Sequence, residues 1–421
     1  MTDGKKKLDI RRILRDNAVT IMFIVLSVVC VFLSGMRLTA ISYELMGRIA
    51  RNAFLILALI IPIVAGMGIN FAITIGAMAA QIAILLTLNW KVPGIGGFLL
   101  ACGITIPLAG IFGLLVGTLL NKMKGQEMIG SMILGYFANG LYQLLFLYIF
   151  GTLIPISNSD LTIVGASGVR NTLDLSVSYG FKGALDNLWK LKFVPAVYWG
   201  CGIVVVIYLL LFLLKKKPLK SLIKVVAIAA VAVIAMQIKP VADVFSMTQV
   251  PMATLLVVGL LCVFNVVIMR TRLGQRFRAV GQNRAVSNAA GINVDRTRIT
   301  AIVISTIFAG LGQLIFMQNF GQVQTYSAHE QVGLYAGAAI LVGGASIMRA
   351  TNGQAILGCI LFHTLFIVAP KAANEVFGKA DIGEYFRVFV SYGVIALALV
   401  LHGLRSRKSP EARLRAQSEK A

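Results

Sequence analysis

The chain is poor in charge. Asp, Glu, Lys and Arg make up only 13% of its 421 residues, against 58% hydrophobic ones, whereas a soluble domain carries about 25% charge and about 45–50% apolar residues. Too little polar surface remains to coat a water-soluble body, so this is an integral membrane protein. Acidic residues are scarcest, 16 against 39 Lys and Arg, for a formal net charge of +23. The five cysteines (Cys30, Cys102, Cys201, Cys262, Cys359) stand singly in apolar runs. No CxxC or Cys/His spacing suits a metal, and the odd count argues against a disulfide framework. His329, His363 and His402 lie too far apart for a helical ligand pair. No GxxxxGK[ST] loop is present to cradle phosphates; the nearest string, Phe377-Gly378-Lys379-Ala380, has the wrong residue after its lysine. GxSxG and HExxH are absent too, so no catalytic constellation supports a membrane-embedded enzyme.

What is there is apolar runs. A bilayer core of about 30 Å takes about 20 helical residues. Twelve candidate spans fall near 17–36, 53–67, 71–90, 97–120, 128–154, 195–214, 222–238, 250–269, 299–318, 331–347, 354–370 and 386–403. The first follows a basic segment, 1–16, and no A-x-A site follows it, so it reads as an uncleaved span. The charge-free run from Asn52 to Trp90 is too long for one helix, and Gly66-Met67-Gly68-Ile69-Asn70 divides it. With both termini cytoplasmic, most Lys and Arg fall on the inner side, as positive residues near span ends require. The net charge is then orientation signal rather than a nucleic-acid footprint. The segment from about Pro155 to Val194 reads as a small outer cap or re-entrant piece. The fold class is an all-α polytopic membrane protein, one transmembrane domain over 1–421, with a cytoplasmic tail at 404–421.

The span interiors carry almost no charge, Glu330 and Arg349 being borderline. Ion-driven carriers place ionisable groups inside the bundle. Here the interior polar residues are neutral: Asn70, Gln81, Asn139, Gln143, Asn265, Gln313, Gln318 and His363. Such a lining suits an uncharged polar solute, with energy entering from elsewhere.

The loop 270–298, RTRLGQRFRAVGQNRAVSNAAGINVDRTR, is long for a connection between spans. It holds a short helical core around Asn283–Ala290 between Gly281 and Gly291, as helix ends favour. One reading is a positive-inside anchor. The other is a helix whose small residues (Ala285, Ser287, Ala289, Ala290) fit a groove on a partner. At Arg272, Gly274, Arg278, Ala279, Gly281, Asn283, Ala285, Gly291 and Ile292 it resembles the coupling loop, RxxGxxxRAxGxNxxAAxxxGI, of permease subunits of bacterial ABC importers for simple sugars and nucleosides; Val286 replaces the second alanine. Three further stretches resemble that family. Pro62–Gly76 is similar to its broken-helix segment GGIDLSVG, with Asn70 where many members have aspartate. Lys124–Ile129 with Met132–Tyr136 is similar to NEVIxTxML, and Gly337–Ser346 to AAVVLGGTS.

The resemblance covers roughly 50–155 and 250–405 and leaves an extra hairpin within 156–248. It implies a ten-helix core plus that hairpin in the bacterial cytoplasmic (inner) membrane. It also implies a second permease, identical or related, and an extracytoplasmic solute-binding protein. Cytoplasmic ATPase subunits would dock on Gly274, Arg278, Gly281, Asn283, Ala285, Gly291 and Ile292, with ATP and magnesium bound there and no cofactor or metal in this chain. The expected function is import of a small neutral polar solute, a simple sugar or a nucleoside. An ion-coupled secondary transporter and a non-transporting scaffold are the alternatives. Candidate lining residues, from polarity and position, are Asn70, Phe71, Asn139, Gln143, Gln313 and Phe316. The glycine breaks at Gly66–Asn70 and Gly343–Ser346 either line the path or let helices pack closely.

Overall fold

The computed structural model describes residues 17–123, 125–163, 168–213 and 219–407; the basic segment 1–16, Lys124, residues 164–167, residues 214–218 and the tail from 408 lie outside them. The chain runs as α1 (Ala18–Leu33), α2 (Leu38–Leu57), α3 (Ile60–Val64), α4 (Ile73–Asn89), α5 (Gly94–Lys122) and α6 (Glu127–Leu144), which ends in a π-helical turn at Leu145–Ile149. After a mostly irregular stretch with strands β1 (Thr172–Asp174) and β2 (Lys190–Lys192) come α7 (Phe193–Leu213), α8 (Leu219–Gln237) and α9 (Lys239–Val244). Strand β3 (Gln249–Pro251) leads into α10 (Met252–Ile268), α11 (Arg272–Gln282), α12 (Arg284–Ala289) and α13 (Val294–Phe320). Strand β4 (Gln322–Gln324), α14 (Val332–Val342), α15 (Asn352–Phe377) and α16 (Ala380–Arg407) complete the order.

Among the described residues five helices are long and apolar enough to cross a membrane: α2 with α3, α5, α6 with its π turn, α13 and α15. The pair α10–α11, bent by 75°, makes a sixth if counted as one span, and shorter apolar helices such as α1, α4 and α14 accompany them. The protein is therefore a polytopic helical membrane protein, and each of the expected spans overlaps one of its helices. Helix α4 sits at the centre, packed by α5, α6, α13 and α14. It is buried along nearly its whole length, which explains why its sequence is apolar on every face. Helices α5 and α13 approach closely because Gly113 and Gly117 face Val303 and Ile299; a Cβ on Gly113 would lie 2.9 Å from the Val303 Cα. Without a hydrophobic drive between helices in lipid, such small-residue contacts carry the packing.

Two expectations about spans are corrected. The second helix begins at Leu38, not near 53, so Glu44, Arg48 and Arg51 belong to α2. Charge is tolerated there because Glu44 Oε1 accepts from Arg48 Nε at 3.0 Å and Arg51 Nη2 at 3.1 Å. The two guanidinium groups also lie over the rings of Phe366, Phe316 and Phe320. The stretch 331–347 is not a full span. Helix α14 has 11 residues, about 16 Å at 1.5 Å per residue, half a bilayer core. It stops at Gly343-Gly344, Gly344 having φ 88°.

A cap covers the end of the bundle formed by the C-terminus of α4 and the N-terminus of α5. There β1 pairs with β4 and β2 with β3, both antiparallel. Asp186 is buried in this cap and accepts from Thr254 Oγ1 and from Asn319 Nδ2. Helices α7 and α8 pack chiefly on one another beside the body.

Candidate functional site

Between α3 and α4 the helix is interrupted from Ala65 to Ala72. Gly66 and Gly68 take φ values of 74° and 70°, the left-handed region where glycine alone is unstrained. The backbone groups freed by the break find side-chain partners. Asn70 Oδ1 accepts from the Ala72 amide at 3.1 Å, the Phe71 amide donates to Ser131 Oγ at 3.0 Å, and Arg284 Nη2 donates to the Gly66 carbonyl at 3.2 Å.

On one side of the break opens a cavity of about 220 Å³. Helix α4 contributes Phe71 (just before its start), Thr74 and Met78. Helix α6 contributes Met132, Gly135, Tyr136 and Asn139. The turn entering α14 contributes His329, Glu330 and Gln331, and Tyr392 comes from α16. A second cavity of about 110 Å³ lies between α2, α13, α14 and α15, and Gln331 lines both.

A chain of polar groups forms the wall of the first cavity. His329 Nδ1 lies 2.9 Å from Gln81 Oε1 and its Nε2 lies 2.8 Å from Asn139 Oδ1, while Asn139 Nδ2 donates to Glu330 Oε1 at 3.1 Å. A neutral imidazole has one donor and one acceptor, so it cannot serve two amide oxygens. Gln81 Nε2 is buried with no partner, and the two ends of an amide are nearly equal in size. Turning the Gln81 amide resolves the mismatch at the imidazole and leaves the Gln81 oxygen in the buried position instead. Gln81 then donates to Nδ1, Nε2–H donates to Asn139, and Asn139 donates to Glu330. Tyr142 packs on the imidazole at 4.5 Å and donates its hydroxyl to the Thr325 carbonyl at 2.9 Å. Gln313 Nε2 donates to the Ala328 carbonyl at 3.2 Å. The turn carrying His329 to Gln331 is thus fastened by α4, α6 and α13.

Of the residues picked from sequence, Phe71 and Asn139 line the first cavity and Phe316 the second. Asn70 sits beneath the first, buried and holding the backbone of the break. Gln313 braces the turn behind it, and Gln143, half-buried, lines neither cavity. His329, Glu330, Gln331, Thr74 and Tyr136 were not picked. Of the two glycine breaks, Gly66–Asn70 borders the cavity through Phe71. Gly343 instead packs on the Gln354 carbonyl and Gly358 of α15. Among the described residues no group of three His, Cys, Asp or Glu could hold a metal ion.

The loop 270–298 forms two helices rather than one. Helix α11 turns off α10 where Gly274 packs against the backbone of Ile268 and Met269, and Arg278 Nη2 donates to the Met269 carbonyl at 2.7 Å. Asn283 caps α12 by accepting from the Val286 amide at 3.1 Å. Ala285, Val286, Ala289 and Ala290 are exposed, Ile292 is half-buried, and Gly291 takes φ 79° to end the helix. Gly281 does not face outward. It packs on the Val64 carbonyl and on Gly66, whose own Cβ would lie 2.8 Å from the Gly281 Cα.

Beneath this contact is an ionic cluster. Glu127, at the start of α6, is buried, and its Oε1 accepts from Arg284 Nη2 at 2.8 Å and from Arg298 Nη2. Arg298 is buried too. It donates to Asn121 Oδ1 at 2.9 Å, and its Nε lies 2.9 Å from Met67 Sδ.

The chain matches the family described as branched-chain amino acid transport system, permease component, over residues 45–399. It is similar to the nucleoside ABC transporter permease protein NupB of Lactococcus lactis subsp. cremoris, 32% identical over 27% of this chain and 30% of that protein. It is similar to NupC, the nucleoside ABC transporter permease protein of the same organism, 29% identical over 37% and 48% of the two chains. The xylose transport system permease protein XylH of Escherichia coli is 26% identical over 38% and 39%. These matches span less than half the length of each relative. No solved structure matches significantly.

Proposed function

The chain belongs to the family of branched-chain amino acid transport system permease components, and from that premise we propose that it is the membrane subunit of an ATP-driven ABC importer for a small neutral polar solute. The observation that carries the reading is the cavity beside the broken helix. Phe71, Tyr136 and Tyr392 offer ring faces, while Asn139, Glu330 and Gln331 offer hydrogen-bond groups. Flat apolar faces with a few fixed polar groups suit a hydroxylated ring, in keeping with the nucleosides and xylose named for the relatives. The chain would sit in the bacterial cytoplasmic membrane with twelve crossings, α14 being the short helical part of one of them, and both termini inside.

ATPase subunits, which bind ATP and magnesium, would dock on the exposed face of α12, and a solute-binding protein on the cap. The α6 face bearing Ile133, Tyr136, Phe137 and Leu141 is exposed in the single chain. A second permease, identical or related, would cover it and close the cavity. No cofactor is assigned to this chain.

The test is purification of the tagged chain in mild detergent, identification of its partners by mass spectrometry, and transport in proteoliposomes. The reading expects a Walker-motif ATPase among the partners and uptake that stops on ATP depletion. Uptake that ignores ATP but stops with a protonophore would make the chain a secondary carrier. A chain that comes down alone under several mild conditions and moves no solute would be a scaffold.

A further inference from the structure

Glu127 joins parts of the chain that are distant in sequence. Through Arg284 it holds the start of α12, and through Arg298 the start of α13. Both arginines also reach the broken helix, Arg284 at the Gly66 carbonyl and Arg298 at Met67 Sδ. Helix α6 then grips the rest of the break. Met128 fills the space a side chain on Gly68 would need, and Ser131 Oγ accepts from the Phe71 amide. Phe71 and the next turns of α6, at Met132 and Asn139, are walls of the larger cavity.

Here a single buried oxygen takes two arginines from different helices, and Gly66 and Gly281 meet backbone to backbone beside it. A shift of α12 cannot pass without moving either the break or the N-terminus of α6, because interdigitated packing transmits displacement rather than absorbing it.

We propose that Glu127 is the positioning residue through which displacement of the docking loop moves two walls of the cavity together. The proposal rests on the importer reading above. Arg284 is the arm that conveys the displacement: its side chain is 35% exposed, against 1% for Arg298. Arg298 is the fixed anchor, keeping the carboxylate in place.

The test uses the complex of the full chain with its ATPase, in proteoliposomes and in detergent. Arg284→Met leaves Glu127 paired with Arg298, so the fold and ATPase binding are retained. ATP hydrolysed per solute moved is expected to rise at least about tenfold. The nucleotide-dependent change in hydrogen exchange of amides 66–72 is expected to disappear. Glu127→Asp draws the shared oxygen back from Arg298 as well as from Arg284, so it should uncouple at least as strongly as Arg284→Met and also lower the melting temperature. The double variant should couple no worse than Glu127→Asp alone, as for two changes to one link. Arg284→Lys, which keeps the charge, should restore most of the coupling. An Arg284→Met complex that keeps its ATPase and couples within twofold of the unaltered protein would overturn the proposal, as would additive losses in the double variant. Recovery of no ATPase with the unaltered chain would remove the importer reading and this proposal with it, a result distinct from the other two.

Discussion

Asn139 is the residue on which the cavity wall turns, since it stands between His329 and Glu330 and contacts both. Asn139→Ala removes a donor and an acceptor at once and frees the Glu330 carboxylate to move. The loss of about 1–1.5 kcal/mol expected for such a bond corresponds to a transport KM about tenfold higher, measured as uptake against solute concentration. Gln143→Ala, one turn further along α6, should change it less than twofold because Gln143 lines neither cavity. Arg298→Met would strand Glu127 with one partner in a buried site. Breaking a buried pair costs about 3–5 kcal/mol, so a lowered melting temperature and poor recovery of folded protein are expected. The sequence exposed the amides because a polar residue within an apolar run is conspicuous. It hid His329 because its partner Gln81 lies 248 positions away and its own segment reads as a connection between spans. Glu127 was hidden for the same reason: nothing in a short loop announces that two arginines over 150 residues downstream will close on it.

At the scale of elements, the docking loop separates two kinds of glycine. Gly291 ends a helix in open space, whereas Gly281 is pressed onto the backbone of the broken helix. Gly281→Leu should therefore damage the permease itself, with loss of monodisperse protein in detergent even when no ATPase is present. Overpacking a close contact costs about 1–3 kcal/mol or more. Val286→Arg changes only an exposed side chain of α12. It should leave the permease folded and remove ATPase from a pull-down; ATPase retained at the normal level would place the docking face elsewhere. The helical core of this loop was legible from Gly291, which does end α12, whereas Gly281, the other expected end, lies inside α11 and Asn283 caps the helix instead. Helix α11 was not, since five of its 11 residues are basic or polar and the turn at Gly274 is set by packing on Ile268 and Met269. The length of α14 was hidden by apolar residues that run on through Ile347. The glycine break at Gly343–Ser346 was marked, but that it ends the helix by packing Gly343 onto α15 is a tertiary contact the local pattern left open. The early start of α2 was hidden by Glu44, Arg48 and Arg51, whose charges are neutralised by one another and by rings on α13 and α15.

At the scale of the whole molecule, the hairpin of α7 and α8 enters and leaves the body at one point. Strands β2 and β3 are paired with Lys192 opposite Gln249, and the Phe193 amide donates to the Thr248 carbonyl at 3.0 Å. The chain therefore returns to the place it left, as an insertion in a finished fold would. Among the described residues the hairpin's other anchors include Ser42 Oγ, which meets the Val244 carbonyl at 2.8 Å and Thr248 Oγ1 at 3.0 Å, while Phe193 stacks on Phe245 at 4.1 Å within the hairpin itself. Among the described residues none of 193–248 lines either cavity or joins the Glu127 cluster. Replacing 194–247 by a two-residue Asn-Gly turn would convert the β2–β3 pair into an ordinary hairpin, the connection such antiparallel ends favour. The shortened chain should fold, elute as a single species and move its solute within about threefold of the full protein, a change worth less than about 1 kcal/mol. Loss of uptake with the ATPase still bound would instead give the hairpin a part in the path or in the seat of the solute-binding protein. The position of the strands, both in the cap that such a protein would face, makes binding of that partner to the shortened chain the second quantity to measure.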